Sequence, residues 1–175
     1  MLMSLAATRS CSADAPNKIM VNDISRAYFY AQATSPTFVD ICYEDREDGD
    51  AEHCAELLVS MYGTRSAARN WQKCYTDVLI AAGFKRGVTN HCLFYHSDRM
   101  IRTIVHGDDF VSVASDKQFR WLDKVLKNKF EKKSCIIGPE DNDVKATRVL
   151  NRIITFTATG STKQIRDMLK PWREI

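Results

Sequence analysis

At 175 residues the chain is long enough for one domain with a real core, and too short for a large multi-domain machine. A hydrophobic content of 45% excludes wholesale disorder, and a net charge of +3 is compatible with a nucleic-acid partner without arguing for one. No apolar run approaches the roughly 18 residues of a membrane span, and Met1 to Ala7 lacks the basic leader and cleavage site of a signal peptide.

Met1 to Ala7 is therefore expected to be an amphipathic packing helix, followed by a loop over residues 10–17. Ile19 to Ile24 reads as a strand with Ile19, Val21 and Asp23 on one face. Thr37 to Tyr43, β-branched and aromatic, reads as a second strand, and residues 44–52 as an acidic turn. Cys54 to Met61 fits a helix or a strand equally well.

The clearest helix runs from Thr64 to Ala82. Ala67, Ala68, Trp71, Tyr75, Val78, Leu79 and Ala82 recur at helical spacing, and Gly83 suits a C-terminal cap. Cys92–His96, Met100–Val105 and Phe110–Ala114 read as three successive antiparallel strands. A second helix is expected from Ser115, with Gln118 reaching back in a capping box and Phe119, Leu122, Val125, Leu126 and Phe130 facing inward. Arg148 to Thr157 reads as one further strand, and residues 158–175 have no assignment. The pattern is α+β, an antiparallel sheet with helices packed on one face.

The six cysteines, Cys11, Cys42, Cys54, Cys74, Cys92 and Cys135, form no C-x-x-C pair and are expected to be free thiols. His53-Cys54 and His91-Cys92 could join a zinc site only through folding, and unrelated core and surface positions are the better reading.

The sharpest local feature is His106-Gly107-Asp108-Asp109 between two apolar strands. Gly107 and Asp108 suit the central positions of a type II′ hairpin turn. Two adjacent carboxylates repel and favour a nearby cation, although an Asp in a surface turn is commonplace. Asp23 ends an apolar strand and supplies a third carboxylate. Such a set could hold two divalent ions about 3.5–4 Å apart. Taken as a turn or cap residue, Asp23 would have no such role.

Asp23-x-x-x-Ala27-Tyr28-Phe29 resembles motif A of reverse transcriptases, and His106-Gly107-Asp108-Asp109 resembles their motif C, usually Tyr-x-Asp-Asp. Met61-Tyr62-Gly63-Thr64-Arg65-Ser66-Ala67-Ala68-Arg69-Asn70-Trp71 resembles the copia-type stretch Leu-Tyr-Gly-Leu-Lys-Gln-Ala-Pro-Arg-Ala-Trp. Gly83-Phe84-Lys85-Arg86, Asn90-His91-Cys92-Leu93-Phe94 and Phe130-Glu131-Lys132-Lys133 match further landmarks in the family's order. Residues 1–157 thus resemble the reverse transcriptase of a copia-type LTR retrotransposon, as a palm with little of the fingers.

The resemblance implies an RNA-directed DNA polymerase adding deoxynucleotides to a primer 3′-hydroxyl by two-metal transfer. Asp23, Asp108 and Asp109 would be the catalytic ligands of Mg²⁺, with Mn²⁺ as a second candidate. Tyr28 would crowd a ribose 2′-hydroxyl, though it also reads as a core aromatic. Gly63 and Arg65 would contact the nucleotide, and His106 and Gly107 would lie near the primer. Trp71 is expected to pack rather than touch nucleotide. The partners would be an RNA or DNA template–primer and deoxynucleotides, with no membrane.

The location implied is intracellular, in cytoplasmic virus-like particles or in the nucleus, and not secreted. Departures from the pattern are His106, Gly107 and Ala68, none of them a carboxylate. About 22 residues precede Asp23, so most of the fingers is expected to be missing, as are the thumb and the RNase H part. An inactive retrotransposon remnant that at most binds nucleic acid, and an unrelated binding module, are the competing readings.

Overall fold

The computed structural model describes residues 17–47, 53–156 and 165–167. The chain divides into two compact units, one of residues 1–25 and 82–175 and one of residues 26–81. The expectations for Met1–Ala7, Cys11, residues 48–52 and most of residues 158–175 lie outside the described residues.

The larger unit is built on a six-stranded antiparallel sheet. Its strands are β1 (Lys18–Ile24), β4 (Lys85–Arg86), β5 (Leu93–His96), β6 (Ile101–His106), β7 (Asp109–Ala114) and β8 (Lys132–Ile137), in the order β4-β5-β6-β7-β1-β8. β1 is central, paired with β7 on one side and β8 on the other. Alternation along each strand sorts the side chains onto two faces.

One face carries Met20, Asn22 and Ile24 of β1, Phe110 and Ser112 of β7, Thr103 and Val105 of β6, and Phe94 and His96 of β5. Helix α2 (Asp116–Lys127) packs here. Lys132, whose side chain is wholly buried beneath it, bonds both Asp123 of the helix and Asn22 of β1. Trp121 meets the rings of Phe84 and His96, with centroids 6.2 and 5.2 Å away. Phe119, Leu122 and Leu126 are buried as the helical period requires, Val125 is half-buried, and Phe130, expected on the same helix, is buried but lies three residues past its end.

The N-terminus of α2 is held through the buried Lys18, whose ammonium lies 2.7 Å from Asp116, 2.9 Å from Asp143 and 3.0 Å from Glu140. Ser115 is the N-cap, as expected, but it makes no side-chain capping bond. The capping box does not form because the Gln118 amide oxygen instead accepts from Arg99, at 3.1 Å.

The opposite face carries Ile19, Val21, Val111, Val113 and Ile137, which form a core cluster with Val149 and Ile154. The last two belong to β9 (Ala146–Val149) and β10 (Arg152–Thr155), a hairpin extended by β11 (Ile165–Asp167) into a three-stranded sheet. The single strand expected over Arg148–Thr157 is thus a hairpin. Its two-residue turn puts both Leu150 (φ 47°) and Asn151 (φ 62°) in the left-handed region. No glycine marks that turn, so the reversal was hidden in the sequence.

The smaller unit contains α1 (Ala67–Ala81) and a two-stranded ribbon of β2 (Phe38–Asp40) and β3 (Cys54–Glu56). Single-turn 3₁₀ helices cover Ala27–Tyr30 and Tyr43–Asp45, so the strand expected to Tyr43 stops at Asp40. Ala67, Trp71, Tyr75 and Leu79 of α1 are buried as expected, whereas Ala68 is exposed. Asn70 and Thr76 are buried as well. Asn70 donates to Ser60 Oγ at 3.0 Å and pairs with Thr34 at 3.0 Å, partners too distant in sequence to be seen in the helical pattern. Gly83 follows α1 with φ +92°, as its capping role requires. Cys42, Cys54, Cys74, Cys92 and Cys135 are free thiols.

Candidate active site

The hairpin joining β6 to β7 has a two-residue turn. His106 pairs with Asp109 across it, which leaves Gly107 and Asp108 as the central residues. Gly107 has φ +62°, while Asp108 is not among the residues of positive φ. That combination is a type II′ turn, the one expected from the sequence.

β1 runs alongside this hairpin, and its register decides which side chains meet. Asp23 stands directly opposite Asp109 on β7 and directly opposite Lys133 on β8. Directly paired residues point to the same face, with Cβ atoms about 4.5–5.5 Å apart. His106, Asp109, Asp23 and Lys133 therefore form one row across four strands. This row lies on the face opposite α2. It immediately follows the row of Ile104, Val111, Val21 and Cys135, whose two valines are buried and whose outer members are half-buried, so an apolar floor ends in a charged rim.

Two backbone bonds fix the end of β1. The Ile24 amide donates to the Asp108 carbonyl at 3.1 Å, and the Ser25 amide donates to the Glu131 carbonyl at 2.9 Å. The first ties the turn carrying Asp108 to the strand carrying Asp23. Asp23 and the adjacent pair Asp108-Asp109, distant in sequence, are thereby brought to one sheet end.

Asp23 and Asp108 are exposed and Asp109 is half-buried. Burial raises the pKa of Asp109, the neighbouring carboxylates of Asp108 and Asp23 raise it further, and His106 acts in the opposite direction. The Asp109 charge is thus held under electrostatic stress, which a bound cation would relieve.

Among the described residues, no group of three His, Cys, Asp or Glu side chains is already arranged to hold a metal ion. His53-Cys54 and His91-Cys92 accordingly form no zinc cluster there. Asp23, Asp108 and Asp109 fit magnesium by donor type. That ion takes oxygen ligands and keeps several waters, and it binds through one or two carboxylates plus substrate phosphates rather than a closed protein cage.

Lys133 is the member of the row that the sequence reading did not place in the site. Its signal was parity: once β8 lies beside β1, every second residue from Lys133 shares the face of Asp23.

Tyr28, Gly63 and Arg65 belong to the smaller unit. Tyr28 sits in the 3₁₀ turn, half-buried, its ring 4.4 Å from that of Tyr62, which also meets Phe29 edge-on at 5.9 Å. Gly63 is the third residue of a turn closed by the Thr64 amide on the Met61 carbonyl at 3.1 Å. Its φ of +87° gives that turn its own need for glycine. Arg65 is exposed. No helix among the described residues is long and apolar enough to cross a membrane.

The family model described as reverse transcriptase (RNA-dependent DNA polymerase) matches residues 3–137. The match runs through both carboxylate-bearing segments and ends at the close of β8. No curated protein matches the chain. With residues 3–137 matched, the chain belongs to the reverse transcriptase (RNA-dependent DNA polymerase) family.

Proposed function

We propose that the carboxylate end of the six-stranded sheet is the catalytic centre of a copia-type RNA-directed DNA polymerase palm, which extends a primer on an RNA or DNA template. The observation that carries this reading is the direct cross-strand pairing of Asp23 with Asp109, beside a turn whose Asp108 carbonyl is bonded to the Ile24 amide.

Asp23, Asp108 and Asp109 would hold the magnesium ions, with manganese as a substitute. When bound, such a pair lowers the pKa of the attacking 3′-hydroxyl and takes up the charge developing on the leaving pyrophosphate. The chain's own contribution is placement. Strand register and one tight turn bring the three carboxylates to one sheet end, and the metal with its substrate phosphates would draw them into a common oxygen set.

His106, exposed at the end of β6, would present a flat ring to the primer backbone. The absence of a side chain at Gly107 leaves the tip of the turn open, since a Cβ there would meet nothing within 4 Å. Tyr28 would crowd the 2′-hydroxyl of an incoming ribonucleotide. Gly63 and Arg65 would meet the nucleotide, the arginine through phosphate. These three roles rest on the motif resemblance.

The test is primer extension by the purified chain with deoxynucleotides and Mg²⁺. Extension that needs the metal and is lost in Asp108→Asn, with an unchanged circular dichroism spectrum, is the expected outcome. Asp108 is exposed and engages the fold through its main chain, so asparagine leaves the turn intact. Extension by the variant at the parental rate would remove the metal assignment. Binding of template–primer without any extension by the parent would replace the catalytic reading with that of a binding remnant.

A further inference from the structure

We propose that the outward face of α2 is a second nucleic-acid surface. It would bind phosphate backbone without regard to sequence, on the side of the sheet away from the carboxylates. The feature that carries the proposal is a stripe of cations. Lys117, Arg120, Lys124 and Lys127 are all exposed. At 3.6 residues per turn they fall within about 80° of arc and span about 15 Å of helix.

The stripe lies on the side of α2 away from Phe119, Leu122 and Leu126, which are fully buried. Lys127 lies 3.0 Å from Asp123. Lys117, Arg120 and Lys124 have no partner among the described residues. The two acidic residues of the helix are already engaged, Asp116 by Lys18 and Asp123 by Lys127 and Lys132. Arg99, stacked 4.0 Å over the Trp121 ring, adds a further cation along one edge.

Helix stability does not account for this pattern. Cations near a helix C-terminus complement the macrodipole, which would suffice for Lys124 and Lys127. Lys117 and Arg120 lie in the first half, where positive charge opposes the dipole. Solvation alone would not demand a single sign along one face either.

The chemistry of the surface selects the partner. No large hydrophobic side chain of α2 is exposed, so the stripe lacks the apolar centre that a protein interface is built around. A line of exposed cations, three of them without a partner among the described residues and with no apolar content between them, suits a polyanion whose charges repeat along a chain. The competing occupant is the acidic segment of a second copy. Residues 40–56 carry Asp40, Glu44, Asp45, Glu47, Asp48, Asp50, Glu52 and Glu56 against Arg46 alone among lysines and arginines.

The proposal does not depend on the metal assignment, and its test uses no catalysis. A fluorescent oligouridine RNA is titrated with the full chain across a salt series. The comparison is the triple variant Lys117→Gln, Arg120→Gln, Lys124→Gln. Loss of three phosphate contacts is expected to reduce the slope of log affinity against log salt by about 2, at roughly 0.7 per single-strand contact.

Replacing the exposed Lys73 and Lys85 instead is expected to leave that slope unchanged. Equal slopes and affinities for parent and triple variant, with matching melting curves, would overturn the proposal. So would a low-salt dimer lost in the triple variant while RNA binding persists, because the acidic segment of a second copy would then be the occupant.

Discussion

Replacing Asp109 with asparagine should stabilise the fold while removing the proposed activity. In the folded chain Asp109 faces Asp23 directly across the β1–β7 pair and adjoins Asp108 in sequence. Like charges opposed across an antiparallel pair cost about 0.2–1 kcal/mol, and half-burial weakens the screening. Asparagine keeps the size and removes the charge, so the gain at neutral pH and low salt is about 0.5–1 kcal/mol. For a chain of this size that is a rise of about 2 °C in melting temperature.

The pH dependence follows from the direction of the Asp109 shift. Burial, Asp108 and Asp23 hold its folded pKa above the unfolded value. The folded chain therefore takes up this proton at a higher pH than the unfolded chain does. Parental stability gains from acidification through the folded pKa, and the advantage of the variant disappears there. Magnesium should act in the same direction at neutral pH. At tenfold excess over its dissociation constant it stabilises the parent by about 1.4 kcal/mol and the variant by less. The assay is differential scanning calorimetry over pH, with and without Mg²⁺. A variant less stable than the parent at neutral pH, or equally stabilised by the ion, would refute the electrostatic account.

Tyr28→Val should raise ribonucleotide incorporation relative to deoxynucleotide in single-nucleotide extension assays, and unchanged discrimination would remove the proposed role of that ring. Leu150→Asn should stabilise the chain by about 1 kcal/mol, because a γ-branched residue at φ 47° is strained where asparagine is tolerated and the leucine is 45% exposed. Thermal unfolding decides it, and a loss of stability would mean that the Leu150 side chain contributes packing worth more than the strain.

Much of the sheet was legible because its signals are local. Apolar alternation marked β1 and the strands around the turn, and Gly107 before Asp108 marked the hairpin type. The two long helices followed from spacing of three and four. What escaped notice depended on partners brought together by folding. Asn70 is buried because Thr34 and Ser60 reach it, and the α2 capping box fails because Arg99 takes the Gln118 side chain. The β9–β10 hairpin read as one strand because its turn uses Leu150 and Asn151 without glycine.

Of the candidate site, the three carboxylates could be named in advance, but their alignment rests on register. A slip of one residue between β1 and β7 would turn Asp23 towards α2. The place of Lys133 in the same row could not be read until β8 was known to flank β1.

The most direct measurement is paramagnetic broadening by Mn²⁺, followed in amide and carboxyl NMR spectra of the isotopically labelled chain. Site-specific metal binding predicts that substoichiometric Mn²⁺ first broadens signals of Asp23, Asp108 and Asp109, that excess Mg²⁺ reverses this, and that Asp108→Asn weakens it. Broadening centred instead on the acidic groups around Lys18, namely Asp116, Glu140 and Asp143, or scattered evenly over the surface, would contradict it.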